Sequence, residues 1–344
     1  DADSDIRLST LELLAEEFDQ TLALQDCIRS LVPALNDKHA NRQAAVRLLG
    51  RLSRRNAGCV LPVLRKVMVQ CTTELEHFNS DKKQEHATSI LGTLIEAAPA
   101  LIRPYTQSLM SLCVVRLNDD HVAPNVLTAL LSCVGKLVQH VSGPELEAAR
   151  RLKGLIVRHI TDSSSTQEKQ EAIRALGSII RATADVTVYD QFPQLLPSLL
   201  STLHGGFKEA WPVRKDVLTL MGIIGAVDPV KVKSLSRNLE LEKGTDSNDP
   251  IAISRTRGDD VMAHIVVAAI LEVLQMVSTE SSDERCSSAV SALVEIFSSR
   301  TMKLSTVVAY MPRVIPELLR HIRSQARMRE RLFRELTTLV SVVK

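Results

Sequence analysis

Five glycines, Gly50, Gly92, Gly135, Gly177 and Gly222, follow one another at intervals of 42, 43, 42 and 45 residues, each near the middle of an apolar helical pattern. The residues around them share one register: Arg47-Leu48-Leu49-Gly50, Ser89-Ile90-Leu91-Gly92, Ser132-Cys133-Val134-Gly135, Arg174-Ala175-Leu176-Gly177 and Thr219-Leu220-Met221-Gly222. A period of about 40–47 residues marks units of two antiparallel helices, each too small to bury its own apolar face, which must stack on their neighbours. The spacing therefore predicts an all-α fold, a HEAT-repeat α-solenoid, that is, a superhelix of antiparallel helix pairs. A glycine inside a helix costs about 1 kcal/mol relative to alanine, so five in register predict that a neighbouring helix comes close to the backbone at each. Other marks keep the same step: Pro62 to Pro104, Cys71 to Cys113, and Leu35-Asn36-Asp37 recurring two units later as Leu117-Asn118-Asp119.

Along the chain the pattern predicts a repeat array of about six units over 1–237. Its helix pairs run from about Asp5 to Leu35, His39–Arg54 with Cys59–His77, Ser80–Ala97 with Ile102–Leu117, Val122–Val141 with Pro144–Ile160, and Thr166–Ala182 with Tyr189–His204. A sixth unit opens at Trp211 and its helix stops at Asp228-Pro229. Residues 238–258 combine turn formers and charge with little periodicity, which reads as an exposed insertion loop or linker. Helical patterning continues over 259–344, as runs at Asp259–Val277, 282–299, 304–323 and 326–343, with Pro312 and Pro316 starting or kinking the third. Thr245, Ser247, Ser254 and Thr256 in the loop read as ordinary loop composition before they read as modification sites. The apolar C-terminal edge is expected to be an internal boundary of a longer solenoid.

Composition narrows the chemistry. Hydrophobic residues make up 45% and aromatics 3%, which suits thin helix layers packed with aliphatic side chains. No apolar stretch reaches the length of a membrane span. The six cysteines stand apart from one another without CxxC pairs, and His77 and His86 lack a Cys partner at finger spacing, so no metal site is expected. No phosphate-binding glycine loop, GxSxG, HExxH or Asp-Phe-Gly pattern occurs, so neither a cofactor nor a catalytic residue is expected.

Charge is uneven although the net value is +2. Residues 1–19 carry seven acids against Arg7, whereas residues 38–73 carry eight bases and no acid. Arg47, Arg51 and Arg55 fall at i, i+4 and i+8 and form one basic ridge, read either as a landing site for an acidic partner or as a solvated ridge facing the acidic first unit, the second being favoured. A second basic cluster includes Arg313, Arg320, Arg323, Arg327, Arg329, Arg331 and Arg334. Phe333 is the one ring among these arginines, which favours a protein interface, or a ridge that pairs with the next repeat, over nucleic acid. The candidate partner-binding residues are thus Arg47, Arg51, Arg55, Arg320, Arg323 and Arg327, with Tyr105 and Trp211 read either as anchors or as repeat-packing residues, packing being favoured for Trp211 beside Pro212.

Particular strings carry a resemblance beyond the repeat register. They include Gly50-Arg51-Leu52-Ser53, Leu61-Pro62-Val63-Leu64-Arg65-Lys66, Thr73-Glu74-Leu75-Glu76-His77, Leu101-Ile102-Arg103-Pro104-Tyr105, Leu117-Asn118-Asp119, Gly222-Ile223-Ile224-Gly225-Ala226-Val227-Asp228-Pro229 and Leu339-Val340-Ser341-Val342-Val343-Lys344. In these the chain resembles the target-of-rapamycin kinases, in the N-terminal solenoid that leads toward their middle repeat region. The resemblance covers nearly the whole chain and departs at about 235–260, where the family carries a variable loop between two repeat blocks. It implies a non-catalytic scaffold segment of a large serine/threonine protein kinase, with the catalytic domain elsewhere. The partners it implies are regulatory subunits of the kinase complex and a second kinase protomer, in growth and nutrient signalling. The implied location is the cytoplasm, with peripheral recruitment of the parent complex to lysosome, vacuole or other endomembranes. The rival readings are a HEAT-repeat adaptor or transport scaffold unrelated to a kinase, and an enzyme in its own right.

Overall fold

The computed structural model describes residues 3–77, 80–119, 121–141, 145–163, 165–183, 192, 194–204, 211–227, 283–298, 304–324 and 329–343. Every regular element among them is helical. The chain divides into two compact units, Asp1–Ile156 and Val157–Lys344. The loop expected at 238–258 and the helix expected at 259–277 lie outside the described residues.

The first unit contains α1 (Ser4–Leu13), α2 (Asp19–Leu22), α3 (Gln25–Leu31), α4 (His39–Leu52), α5 (Ala57–His77), α6 (Asp81–Ala97), α7 (Pro99–Ile102), α8 (Thr106–Leu117) and α9 (Pro124–Val138). The helix α10 (Glu145–Asp162) runs on into the second unit. Helices α4, α6 and α9 carry the first three register glycines and pack in that order, α4 on α6 and α6 on α9. On α4 the spacing i, i+3, i+4, i+7 places Ala45, Leu48, Leu49 and Leu52 in the core, none more than 4% exposed. Each large aliphatic buried in this way contributes about 1.5–3 kcal/mol.

Turn chemistry explains where these helices begin. Asn56 caps α5: its Oδ1 accepts from the Cys59 N–H at 3.2 Å while its Nδ2 donates to the Ala23 carbonyl at 2.8 Å. The recurring Leu-Asn-Asp is a turn device between units. Leu35 and Leu117 are buried, Asp37 accepts from the Lys38 N–H at 2.7 Å, and Asp119 accepts from the His121 N–H at 3.1 Å. Pro33 and Pro104 lie within single 3₁₀ turns, at 32–36 and 103–105, so the third unit's return helix is split into α7 and α8 instead of running unbroken from Ile102.

Pro62 lies deeper in α5 than the first turn expected from sequence, because α5 already starts at Ala57. The carbonyl it leaves without an intrahelical donor belongs to Gly58, and both residues are exposed, so water can satisfy it. The same device recurs in α15 (Leu304–Ser324), which continues through Pro312 and Pro316. There Val308, Pro312 and Pro316, four residues apart, are all exposed, so water can satisfy the carbonyls that the prolines leave without a donor.

The second unit continues with α11 (Thr166–Thr183), α12 (Leu195–His204), α13 (Trp211–Val227), α14 (Asp283–Phe297), α15 and α16 (Arg329–Val343). Helix α11 packs on α13, and α13 packs directly on α14. The glycine face therefore persists across the interruption after Gly222. Gly50 faces Ala97, Gly92 faces Lys136 and Gly177 faces Ile223, 44 to 47 residues on, whereas Gly222 faces Ala292, 70 residues on. The additional length is accommodated between two helices that remain neighbours.

The glycines do not all do the same work. A Cβ on Gly50 would run into the Ala97 Cβ and lie 2.7 Å from the Ala97 carbonyl oxygen, and one on Gly222 would lie 3.1 Å from the Ala292 Cα. On Gly177 it would meet only the movable end of Ile223, at 3.0 Å. On Gly92 it would make ordinary contacts, no nearer than 3.7 Å. Close backbone approach thus accounts for Gly50 and Gly222 but not for Gly92.

Candidate protein-interaction surface

The ridge Arg47, Arg51 and Arg55 runs along α4 into the turn that follows it. Its three members have different surroundings. Arg51 is turned inward: its Nε lies 2.9 Å and 3.0 Å from the two carboxylate oxygens of Asp19, and its Nη2 donates to the Leu14 carbonyl at 2.5 Å. The Asp19 side chain is only 9% exposed, so the pair is a largely desolvated clamp of the first repeat onto α4. Arg47 and Arg55 remain exposed, as does Arg54, and none of them makes an ion pair among the described residues.

The acidic first repeat thus meets the basic ridge through one arginine. Its other attachments are also polar. Arg7 pairs with Asp37 through Nε at 2.6 Å and Nη2 at 3.0 Å, and Asn41 Nδ2 donates to Asp37 at 2.7 Å and to Ser4 Oγ at 3.3 Å. Arg7, with Asn41 and the Lys38 N–H, holds the Asp37 carboxyl well below the usual carboxylate range. Apolar burial is correspondingly weak there: Ser4 is the buried residue of α1, whose Ile6 and Leu13 are 59% and 76% exposed, and Phe18 in the turn after it is 51% exposed.

In the second cluster, Arg320 pairs with Glu317 one turn away at 2.8 Å. Arg329 donates to the Ile322 carbonyl at 3.3 Å, and Arg334 reaches the exposed Glu330 at 3.6 Å, a distance and setting that contribute little. Arg313, Arg323 and Arg331 are exposed. Pro316, Leu319, Arg320 and Arg323 line an open groove on α15. Arg327 and the side chain of Trp211 lie outside the described residues.

The buried titratable groups are arranged for packing. Burial pushes the Cys71 thiol up to about 12, with the Arg42 guanidinium opposing it weakly. A hydrogen bond with Cys113 and full burial raise Cys133 well above the ordinary thiol value. Both are therefore neutral thiols, poor nucleophiles and poor metal ligands at neutral pH. His39 and His86 stack between α4 and α6 with ring centroids 4.3 Å apart, and burial followed by the neighbouring His86 lowers the His39 value. Among the described residues no three His, Cys, Asp or Glu side chains are grouped to hold a metal ion.

Two features escape a residue-by-residue reading of the sequence. One is a set of polar links between successive first helices: Gln43 to Ser89 at 2.7 Å, Gln170 to Asp216 at 2.7 Å, Arg174 to Asp216 at 2.9 Å and Lys136 to Glu96 at 3.2 Å. Gln43–Ser89 and Gln170–Asp216 share a separation of 46 residues, a signal visible once the repeats are overlaid. The other is Arg65, whose guanidinium lies 5.6 Å from the centroid of the Tyr105 ring.

Residues 186–344 match the family described as the serine/threonine-protein kinase mTOR domain. Over its whole length the chain is 30% identical to serine/threonine-protein kinase tor1 of Schizosaccharomyces pombe, covering 15% of that protein. It is also 30% identical to the kinase TOR of Arabidopsis thaliana, covering 14%, and 28% identical over 99% of its length to TOR2 of Saccharomyces cerevisiae, covering 14%. The chain thus spans about 15% of the length of the curated relatives it matches. Among solved structures, importin beta aligns with 98% of this chain and 38% of its own at a TM-score of 0.60 and 12% identity. A designed armadillo repeat protein aligns with 80% of this chain and 99% of its own at a TM-score of 0.51 and 14% identity. These two likenesses speak to the fold, a helical-repeat solenoid. None of the described helices is long and apolar enough to cross a membrane.

Proposed function

We propose, from the premise that this chain belongs to the target-of-rapamycin serine/threonine kinase family, that it is a non-catalytic scaffold segment of such a kinase. In this reading its ridges dock regulatory subunits, and its stacked helices help two kinase protomers assemble. The catalytic domain of the parent lies outside this chain, and the complex acts in growth and nutrient signalling from the cytoplasm, with peripheral recruitment to endomembranes. The observation that carries the reading is the whole-length relationship to kinases of which the chain covers about one seventh, joined to a repeat fold.

Docking on a solenoid is spread over area, and a standard interface of about 1,200–2,000 Å² needs a few anchors among many weak contacts. Arg47 and Arg55 suit that use, being exposed and free of acidic neighbours on their own ridge. Arg320 and Arg323, beside the groove on α15, form the second candidate edge, and Arg327 is assigned to it by its place in the sequence alone. Arg51 contributes indirectly, by holding the first repeat against the ridge.

The test is charge reversal in the whole kinase. Arg47→Glu with Arg55→Glu should reduce recovery of regulatory subunits, and the reversal of Arg320 and Arg323 should do so at the other edge. Full recovery with both edges reversed would reject the docking role of these arginines.

A further inference from the structure

The return helices α5 and α8 show outward stripes that neither basic cluster includes. On α5 the exposed stripe runs through Pro62, Arg65, Lys66, Val69 and Thr73; on α8 and the turn before it, through Arg103, Pro104, Gln107, Ser111 and Val115. The Arg65–Tyr105 stack ties the two together. Val69 and Val115 add apolar surface to the stripes, at 52% and 66% exposed.

The charge of this surface is one-sided as far as Thr73; the exposed Glu76 closes the α5 stripe one turn further on. No Asp or Glu occurs between 38 and 73, nor between 97 and 118, the two stretches that supply both stripes. The cations Arg65, Lys66 and Arg103 are exposed and form no ion pair among the described residues. Arg65 is further held over the Tyr105 ring, which fixes its direction at little cost in side-chain entropy. The remaining exposed positions are mostly small or uncharged polar groups, which leave room for a partner to approach.

We infer that the paired outward faces of α5 and α8 form a docking surface for an acidic, amphipathic protein segment, whose carboxylates meet Arg65, Lys66 and Arg103 while its apolar side chains cover Val69 and Val115. The inference rests on the scaffold reading above and gives it a partner chemistry. The surface does not suit nucleic acid, because the Tyr105 ring, which a base would stack on, is already engaged by Arg65. It does not suit a membrane either, since its apolar members are short valines with no exposed Trp, Phe or Leu to enter the acyl boundary.

The test uses the 344-residue chain and a fluorescein-labelled amphipathic helix of about 20 residues, with Glu on one face and Leu on the other, read by fluorescence anisotropy at physiological salt. Arg65→Glu with Lys66→Glu and Arg103→Glu should weaken binding at least tenfold, and Val69→Ser with Val115→Ser a few-fold. A peptide with Gln in place of Glu should bind no better to the wild type than to the reversed variant. Circular dichroism verifies folding, and the milder Arg65→Gln with Lys66→Gln serves if the triple reversal unfolds the chain. Unchanged affinity after either charge substitution overturns the inference. So does tighter binding of phosphatidylserine vesicles or a single-stranded oligonucleotide that is abolished by the same substitutions. Failure in this assay rejects the surface and leaves the scaffold reading standing, whereas failure of the whole kinase to recover regulatory subunits rejects both.

Discussion

Alanine substitutions at Gly50 and Gly92 should change stability in opposite directions. Gly50 lies in the last turn of α4 and Gly92 in the interior of α6, and they share one register, so helix propensity alone predicts that alanine stabilises each, by up to about 1 kcal/mol. The neighbours differ. At Gly50 the added Cβ would collide with the Ala97 Cβ and stand 2.7 Å from the Ala97 oxygen and 2.8 Å from its carbonyl carbon. These are largely backbone atoms at the end of α6, and no rotamer change removes them. Relief requires α4 and α6 to separate by several tenths of an ångström, an overpacking cost near the upper end of about 1–3 kcal/mol. The net result for Gly50→Ala is a loss of about 2 kcal/mol. At Gly92 the Cβ would meet the flexible Lys136 side chain at 3.7 Å, which is ordinary contact, so Gly92→Ala should gain about 0.5–1 kcal/mol. Urea titrations followed by circular dichroism, with hydrogen exchange on α4 and α6, measure both. Ala97→Gly should rescue Gly50→Ala only in part, since the Ala97 carbonyl remains in place. Equal stabilisation by both substitutions, or full rescue by Ala97→Gly, would refute the reasoning.

Three further outcomes follow from individual contacts. Arg51→Ala should leave Asp19 desolvated without its partner and loosen the first repeat by about 1–3 kcal/mol, seen as faster hydrogen exchange over 4–22 with the rest of the chain unaffected. His39 has a folded value below the ordinary 6.5, so the unfolded chain takes up its proton first; its contribution is complete above about pH 6.5 and declines as pH falls below it, and His39→Asn should flatten that part of the stability profile. With its thiol pushed up to about 12, Cys71 should resist a thiol-specific disulfide reagent at pH 8 in the native chain and react on unfolding, whereas half-buried Cys27 and Cys59 should react in the native chain.

Helix positions were legible in the sequence because burial forces periodicity. Ala45, Leu48, Leu49 and Leu52 mark α4 through their spacing, and the predicted ends of most helices fall within a few residues of the observed ones. Where polar contacts replace apolar burial, the same reasoning misleads. The first helix and the short helix α2 after it are held through Ser4, Arg7 and Asp19, residues whose partners are 30 to 37 positions away and invisible to local periodicity. The interaction surface was half legible. The spacing of Arg47, Arg51 and Arg55 predicts one ridge, but it cannot tell that α4 ends at Leu52, before Arg55, or that Arg51 is engaged by Asp19 while Arg47 and Arg55 stay exposed. Arg65, Val69, Arg103 and Val115 are unremarkable along the chain and become a surface only when α5 and α8 are set side by side through the Tyr105 contact.

The scaffold assignment is tested most directly by mixing the isolated 344-residue chain with purified regulatory subunits of a target-of-rapamycin complex, measuring complex formation by light scattering and phosphate transfer from ATP in the same sample. The account predicts a stable complex with a subunit and no phosphate transfer. Phosphate transfer by the isolated chain, or the absence of any complex with the subunits, would contradict it.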